Sequence, residues 1–356
     1  MTFARGMVVL AVLVIAGCGS SGSGGGPTSP GGTTPPPSGP PPSPGPHMVT
    51  GSLVSALDEA AGAGNVAFTA AGTLLGRSDA GGGFAVGFHT SGTNRATLAG
   101  DGFVTRETGI VAPGGNLRLS LIPSSFDLAS FNQMFRHQQL SGAGAGLTRW
   151  AEPPGLVLER RVVDFTDNFC APSYPAVDET IGDAHAAEIL ADMRDGYELL
   201  TAGRLGPLAS VTTQQAEAGI DVATRQPGKI VVMRAVGLTV KRNYWGYACW
   251  SVTGDGVVTG GFIILDNDFD GGPSPFRRSL RMHEFGHTLG CQHVSLPRVS
   301  VMNSNARTEP NEFDQHAARI AMLRQPGNRP PDIDPATHIA TTAARTMQPV
   351  TWHGAH

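Results

Sequence analysis

The stretch HEFGHTLGCQH, His283 to His293, limits what this chain can fold into more than any other segment. Residues four apart lie on one face of a helix, so His283 and His287 project side by side. Two imidazoles at that spacing can occupy two corners of a tetrahedral zinc site. Glu284 sits one position past the first of them, where a carboxylate reaches a water on the metal without ligating it. Gly290 then ends the helix, because glycine enters left-handed backbone conformations cheaply. The turn it permits brings His293 back as a third ligand. The fold must therefore supply a helix that stops at Gly290 and a chain that doubles back beneath it.

In full, the stretch matches HExxHxxGxxH and resembles the signature of the metzincin metallopeptidases. Downstream, SVMN places Met302 where that family has a methionine turn, which would make this side chain an apolar floor under the metal. The resemblance covers roughly Trp150 to Arg324, with its specific motifs between His283 and Met302. It implies an α+β fold, in which a mixed twisted sheet, an active-site helix and a closing helix form the catalytic domain. It also implies one Zn2+ and a zinc-dependent endopeptidase acting on protein or peptide substrates. Three neutral imidazoles leave the metal its full charge and an open corner for water, the nucleophile, with Glu284 as general base. Two departures stand out. Some metzincins carry a tyrosine two residues after the methionine, where this chain has Ser304, and no cysteine-switch propeptide is found. Two rival readings remain: a tethered binding or adhesion lipoprotein with an inactive zinc site, and the other HExxH clan with Glu309 or Glu312 as ligand. The second leaves Gly290 and His293 without a role.

The beginning of the chain has a different character. Arg5 precedes the short apolar run MVVLAVLVIAG, the pattern of a secretory signal over residues 1–17. Ile15-Ala16-Gly17-Cys18 is similar to a bacterial lipobox, which implies a lipid anchor on Cys18. Membrane attachment through that lipid follows, in an exported envelope lipoprotein with the outer membrane or cell surface favoured by Gly19. Residues 18–47 are otherwise almost all Gly, Ser, Thr and Pro, too poor in apolar side chains to bury a core, and suit a tether. A net charge of −4 without basic runs gives no reason to expect nucleic acid as partner. Export permits disulfides, but Cys170, Cys249 and Cys291 are odd in number, so at most one intrachain pair forms and its identity stays open.

Residues 48–124 read as a small all-β sandwich. Leu117, Leu119 and Leu121 alternate with polar residues, and Gly, Asn and Asp punctuate short apolar runs. The segment DAGGGFAVGF is similar to carboxypeptidase-regulatory-like domains. Residues 125–325 form the metallopeptidase region. SFDLASFNQMFRH reads as helical, and Ile189, Met193, Tyr197 and Leu200 mark a helix over Asp183 to Thr201. KIVVMRAV and GGFIILD read as strands, the latter similar to the rim strand on which metzincins lay substrate. The site helix is expected to start with Ser274 as N-cap and Pro275 at its first position. Phe313, Ala317 and Ile320 mark the closing helix. Residues 326–356 read as a Pro-rich polar tail. DNDFDG, Asp266 to Gly271, resembles half a calcium loop, but Arg277 stands where the bidentate Glu belongs. An acidic turn is therefore preferred over a Ca2+ site.

Overall fold

Strand, not helix, dominates the architecture. In the computed structural model, strands make up 38% of the described residues against 21% for helices, which overturns the α+β, metzincin-like fold class expected above. Among the described residues there are only six helices. The physical reason is that several strands carry no readable pattern. Ser210–Gln214 is SVTTQ, largely exposed and polar, and is held in place by its neighbour rather than by alternation. The structure describes residues 47–140, 144–305, 307–336 and 348–350. The signal segment, Cys18 and most of the tether lie outside them. No helix among the described residues is long and apolar enough to cross a membrane.

A 10-stranded mixed sheet organises the C-terminal part. At its centre Gly155–Glu159 runs parallel to Lys229–Val236, which runs parallel to Val257–Asp266; Gly246–Val252 then pairs antiparallel. GGFIILD is thus an inner strand, not the rim. Its residues from Gly261 onward are buried, as a strand flanked on both sides requires. The strand beside it, Gly246–Val252, is the outer one, and its last three residues pair with Gln348–Val350.

Side chains alternate across this sheet with period two. Ile230, Val232, Ile263, Leu265, Ala248 and Trp250 enter one apolar cluster, while Val231, Met233, Phe262, Ile264, Tyr247 and Cys249 enter another. The first cluster also holds the apolar faces of three helices, Asp183–Thr201, Arg277–Thr288 and Glu312–Met322. All three therefore lie on one side of the sheet. The first packs against the second at Gly196, where a Cβ would stand in ordinary contact, 3.5 Å from the Met282 Cα.

The N-terminal part has a core of its own. A three-stranded and a four-stranded sheet share one cluster, in which Val49, Leu53, Phe84 and Leu119 meet Phe68, Leu98 and Ile110. Buried charges tie it to the rest of the chain. Arg106 bonds Asp334 at 2.8 Å, and Arg324 donates to Ser120 Oγ at 2.8 Å and to Asp332. Asn328 and Asp332 are wholly buried, so the start of the expected polar tail is interior strap, its polar groups matched by arginines.

Candidate metal centre

The site helix runs Arg277–Thr288, later than expected. Phe276 is its N-cap and makes no side-chain cap bond, while Ser274 Oγ accepts from the Phe276 N–H at 3.2 Å one turn earlier. The helix ends as anticipated. Gly290 has φ +98°, and a Cβ there would stand 2.8 Å from the Thr148 carbonyl oxygen, so both backbone and space demand glycine. Thr148 Oγ1 donates to the Gly290 carbonyl at 3.0 Å and fixes the turn.

The turn does bring His293 back. His283 Nε2 lies 3.2 Å from His287 Nε2 and 3.2 Å from His293 Nε2. Among the described residues these three form the one group of metal-capable side chains, with ligand atoms all within 4.8 Å. A tetrahedral ion with bonds of about 2.0–2.1 Å sets its nitrogens roughly 3.3 Å apart, close to what is seen. The other ring nitrogens decide the tautomers. His283 Nδ1 meets the Val301 carbonyl at 2.8 Å and His287 Nδ1 meets the Cys291 carbonyl at 2.9 Å. A carbonyl only accepts, so both Nδ1 atoms carry protons and turn bare Nε2 lone pairs toward one another. Lone pairs at that separation repel unless a cation lies between them. The donor set and its spacing fit a zinc ion.

Glu284 is 1% exposed and lies against the outer strand. A Cβ on Gly246 would stand 3.1 Å from its Cγ, so that glycine makes the room. Met302 is where the motif puts it. It packs against Gly286, between the two helical ligands, and a Cβ on Gly286 would meet its sulfur at 2.5 Å. Trp250, on the outer strand, stacks parallel to the His287 ring with centroids 5.9 Å apart.

The segment around Met302 is braced by a residue that sequence reasoning missed. Asp314, wholly buried in the closing helix, accepts from Ser300 Oγ at 2.5 Å and from the Val301 N–H at 3.0 Å. It thereby fixes the carbonyl that orients His283, the supporting role that outer partners of a ligand take. Burial raises its carboxyl above the ordinary range, against these hydrogen bonds. The usable signal was NEFD: Asn311 and Asp314 form a capping box, which places Asp314 at the helix start.

Cys291 is fully buried among apolar side chains, and burial first, then Asp314, pushes its thiol up. It belongs to the core and not to the histidine group. The pairing left open by the sequence is Cys170 with Cys249. Ser304 is exposed. The acidic run Asp266 to Gly271 is not assembled as an ion loop. Asp266 accepts from the N–H groups of Phe269 and Thr239, and Asp270 is bonded to Arg281 and His185. Glu309 pairs with Arg278 and is not among the ligand group.

No family model matches the chain, and no curated protein matches it. The metzincin resemblance therefore rests on the sequence motif, and the three-histidine group by itself does not establish it.

Proposed function

We propose that this protein is a zinc-dependent endopeptidase. The observation that carries the reading is the convergence of three histidine Nε2 atoms beside a buried glutamate. His283, His287 and His293 would hold the ion, leaving a fourth position open, as hydrolytic sites do and closed structural sites do not. Zinc held there supplies a Lewis acid that polarises a carbonyl and acidifies a water. Glu284 takes the proton from the attacking water at a carboxylate oxygen and returns it to the leaving amine nitrogen. Val301 and Cys291, through their carbonyls, keep the imidazoles of His283 and His287 in the tautomer that points Nε2 inward. An extended peptide would add along the outer edge of Gly246–Val252, next to Glu284, through backbone hydrogen bonds.

The test compares wild type with Glu284→Gln on unfolded protein substrates, with and without chelator. Gln keeps volume but lacks the basic oxygen, so zinc content and melting temperature stay the same. Peptide hydrolysis falls at least about a hundredfold, within the range of a lost proton transfer. A wild-type protein that binds zinc and cleaves nothing would favour the tethered binding-protein reading.

The anchor is a separate part of the proposal. Cys18 is read as a lipid-bearing residue of an exported protein, and Cys18→Ser then releases the protein from membranes. Unchanged membrane attachment of that variant sinks the lipoprotein reading.

A further inference from the structure

We propose that Arg307 makes this site selective for substrates with a carboxylate a few residues from the bond that is cut. The inference rests on the peptidase reading above and adds a substrate class to it. Arg307 follows Met302 by five residues and is exposed. Its guanidinium lies 5.3 Å from the Trp245 ring and 5.3 Å from the Phe276 ring. Trp245 is itself backed by Phe269, stacked at 4.4 Å and 7°. Each partner belongs to an element that borders the metal group. Trp245 precedes Gly246, which lies against Glu284; Phe276 opens the site helix; Arg307 continues the Met302 segment.

The charge there is unlike its neighbours. Arg277 bonds Glu188 at 3.0 Å, and Arg278 bonds Asp192 and Asp195, each at 2.9 Å. The nearest acid in sequence, Glu309, is taken by Arg278 at 3.5 Å. Arg307 forms no ion pair among the described residues; its contacts are the two rings. Stacking holds a long side chain in place while leaving the N–H edge of the guanidinium open to a carboxylate. The distance sets the subsite. Phe276 precedes His283 by two helical turns, about 10 Å along the axis. An extended peptide advances about 3.3 Å per residue, so the recognised group stands about three residues from the reacting bond.

The experiment uses full-length zinc-loaded protein and matched quenched fluorogenic peptides. They carry Glu, Gln or Lys at the third position on either side of the cut, with both ends blocked. A parallel set has a free C-terminal carboxylate at that distance, which separates a side-chain source from a chain end. Wild type should cleave the preferred carboxylate peptide about fivefold better in kcat/KM than its neutral partner, the size of one partly exposed ion pair. High salt should shrink that ratio. Arg307→Gln should cleave the neutral peptide at the wild-type rate and lose the preference, and Arg307→Glu should favour Lys. Cleavage by wild type without any such preference, or an unchanged preference in Arg307→Glu, overturns the selectivity and leaves the peptidase reading intact. Failure of wild type to cleave any peptide removes both.

Discussion

The two faces of the site helix solve opposite electrostatic problems. On one face Arg281, wholly buried, bonds Asp270 at 2.7 Å, Asp192 at 2.7 Å and Glu188 at 2.9 Å. Burial alone would raise the Asp270 carboxyl, but bonds from His185 and Arg281 hold it below its ordinary value. Charge is answered by charge from the helix Asp183–Thr201 and from Asp270, and the face is closed. On the other face, two residues along, His283 and His287 bring neutral rings whose outer nitrogens satisfy backbone carbonyls and whose inner lone pairs point at each other. That face gathers ring nitrogens that could hold a metal ion. The lesson is that one helix can be fixed by matched charge on its back while presenting a set of neutral rings on its front.

Breaking the matched face should hurt folding, and breaking the open face should not. Arg281→Met leaves Asp270 and Asp192 buried without their main partner, a change that costs about 3–5 kcal/mol in such networks. Urea unfolding should show that loss, with zinc per folded molecule unchanged. Glu284→Gln, three residues on, should show the reverse: stability kept and hydrolysis lost. If Arg281→Met unfolds no more easily than wild type, the back face is not what holds the helix.

What was legible in the sequence follows the same division. His283, Glu284, His287, Gly290, His293 and Met302 were legible because their spacing is local and each spacing has a geometric purpose. Asp314, Gly246 and Trp250 were not, since each acts on the site from another element: a capping residue, a glycine that yields space to Glu284, and a ring laid on His287. The strands showed a similar limit. KIVVMRAV announces itself by the apolar run Ile230 to Met233, whereas SVTTQ becomes a strand only because Gly155–Glu159 pairs with it. Edge order is also tertiary information, which is why the outer strand proved to be Gly246–Val252.

The donor set can be probed at its third member. His293 comes from the loop after Gly290 and not from the helix, so its removal leaves the helix pair in place. His293→Ala should weaken zinc binding at least about 10–100-fold, since even changes to the partners of a ligand cost that much. Competition with a chelator measures it. Unaltered zinc retention at limiting metal would mean that another group completes the site.

Matched charge recurs in the strap after the closing helix, and there it carries a pH signature. Burial would raise the Asp334 carboxyl, but Arg106, then Arg324, bring it down to about 2. A carboxyl whose folded value lies below its unfolded one stabilises the fold above about pH 4. That contribution fades as pH falls from there through about 2. Unfolding free energy should therefore drop by about 2 kcal/mol over that window on account of this group. Asp334→Asn should flatten that part of the profile; an identical profile would show that the strap is not held by this charge.

The smallest expected effect decides whether the front face is open or closed. Cys291 lies two residues before His293, and as a fourth ligand it would turn the site into a sealed structural one. Two observations speak against it. The side chain is fully buried in the apolar cluster with Met302 and Phe285, and its carbonyl, not its sulfur, faces His287. Cys291→Ala should therefore leave zinc stoichiometry unchanged and hydrolysis near the wild-type rate, and cost only about 1 kcal/mol of stability from lost packing. Replacing zinc by cobalt sharpens the comparison. The wild-type spectrum should show nitrogen-ligand bands without thiolate-to-cobalt charge transfer, and the variant should give the same spectrum. A charge-transfer band that disappears in Cys291→Ala would close the fourth position and remove the place that a reacting water needs.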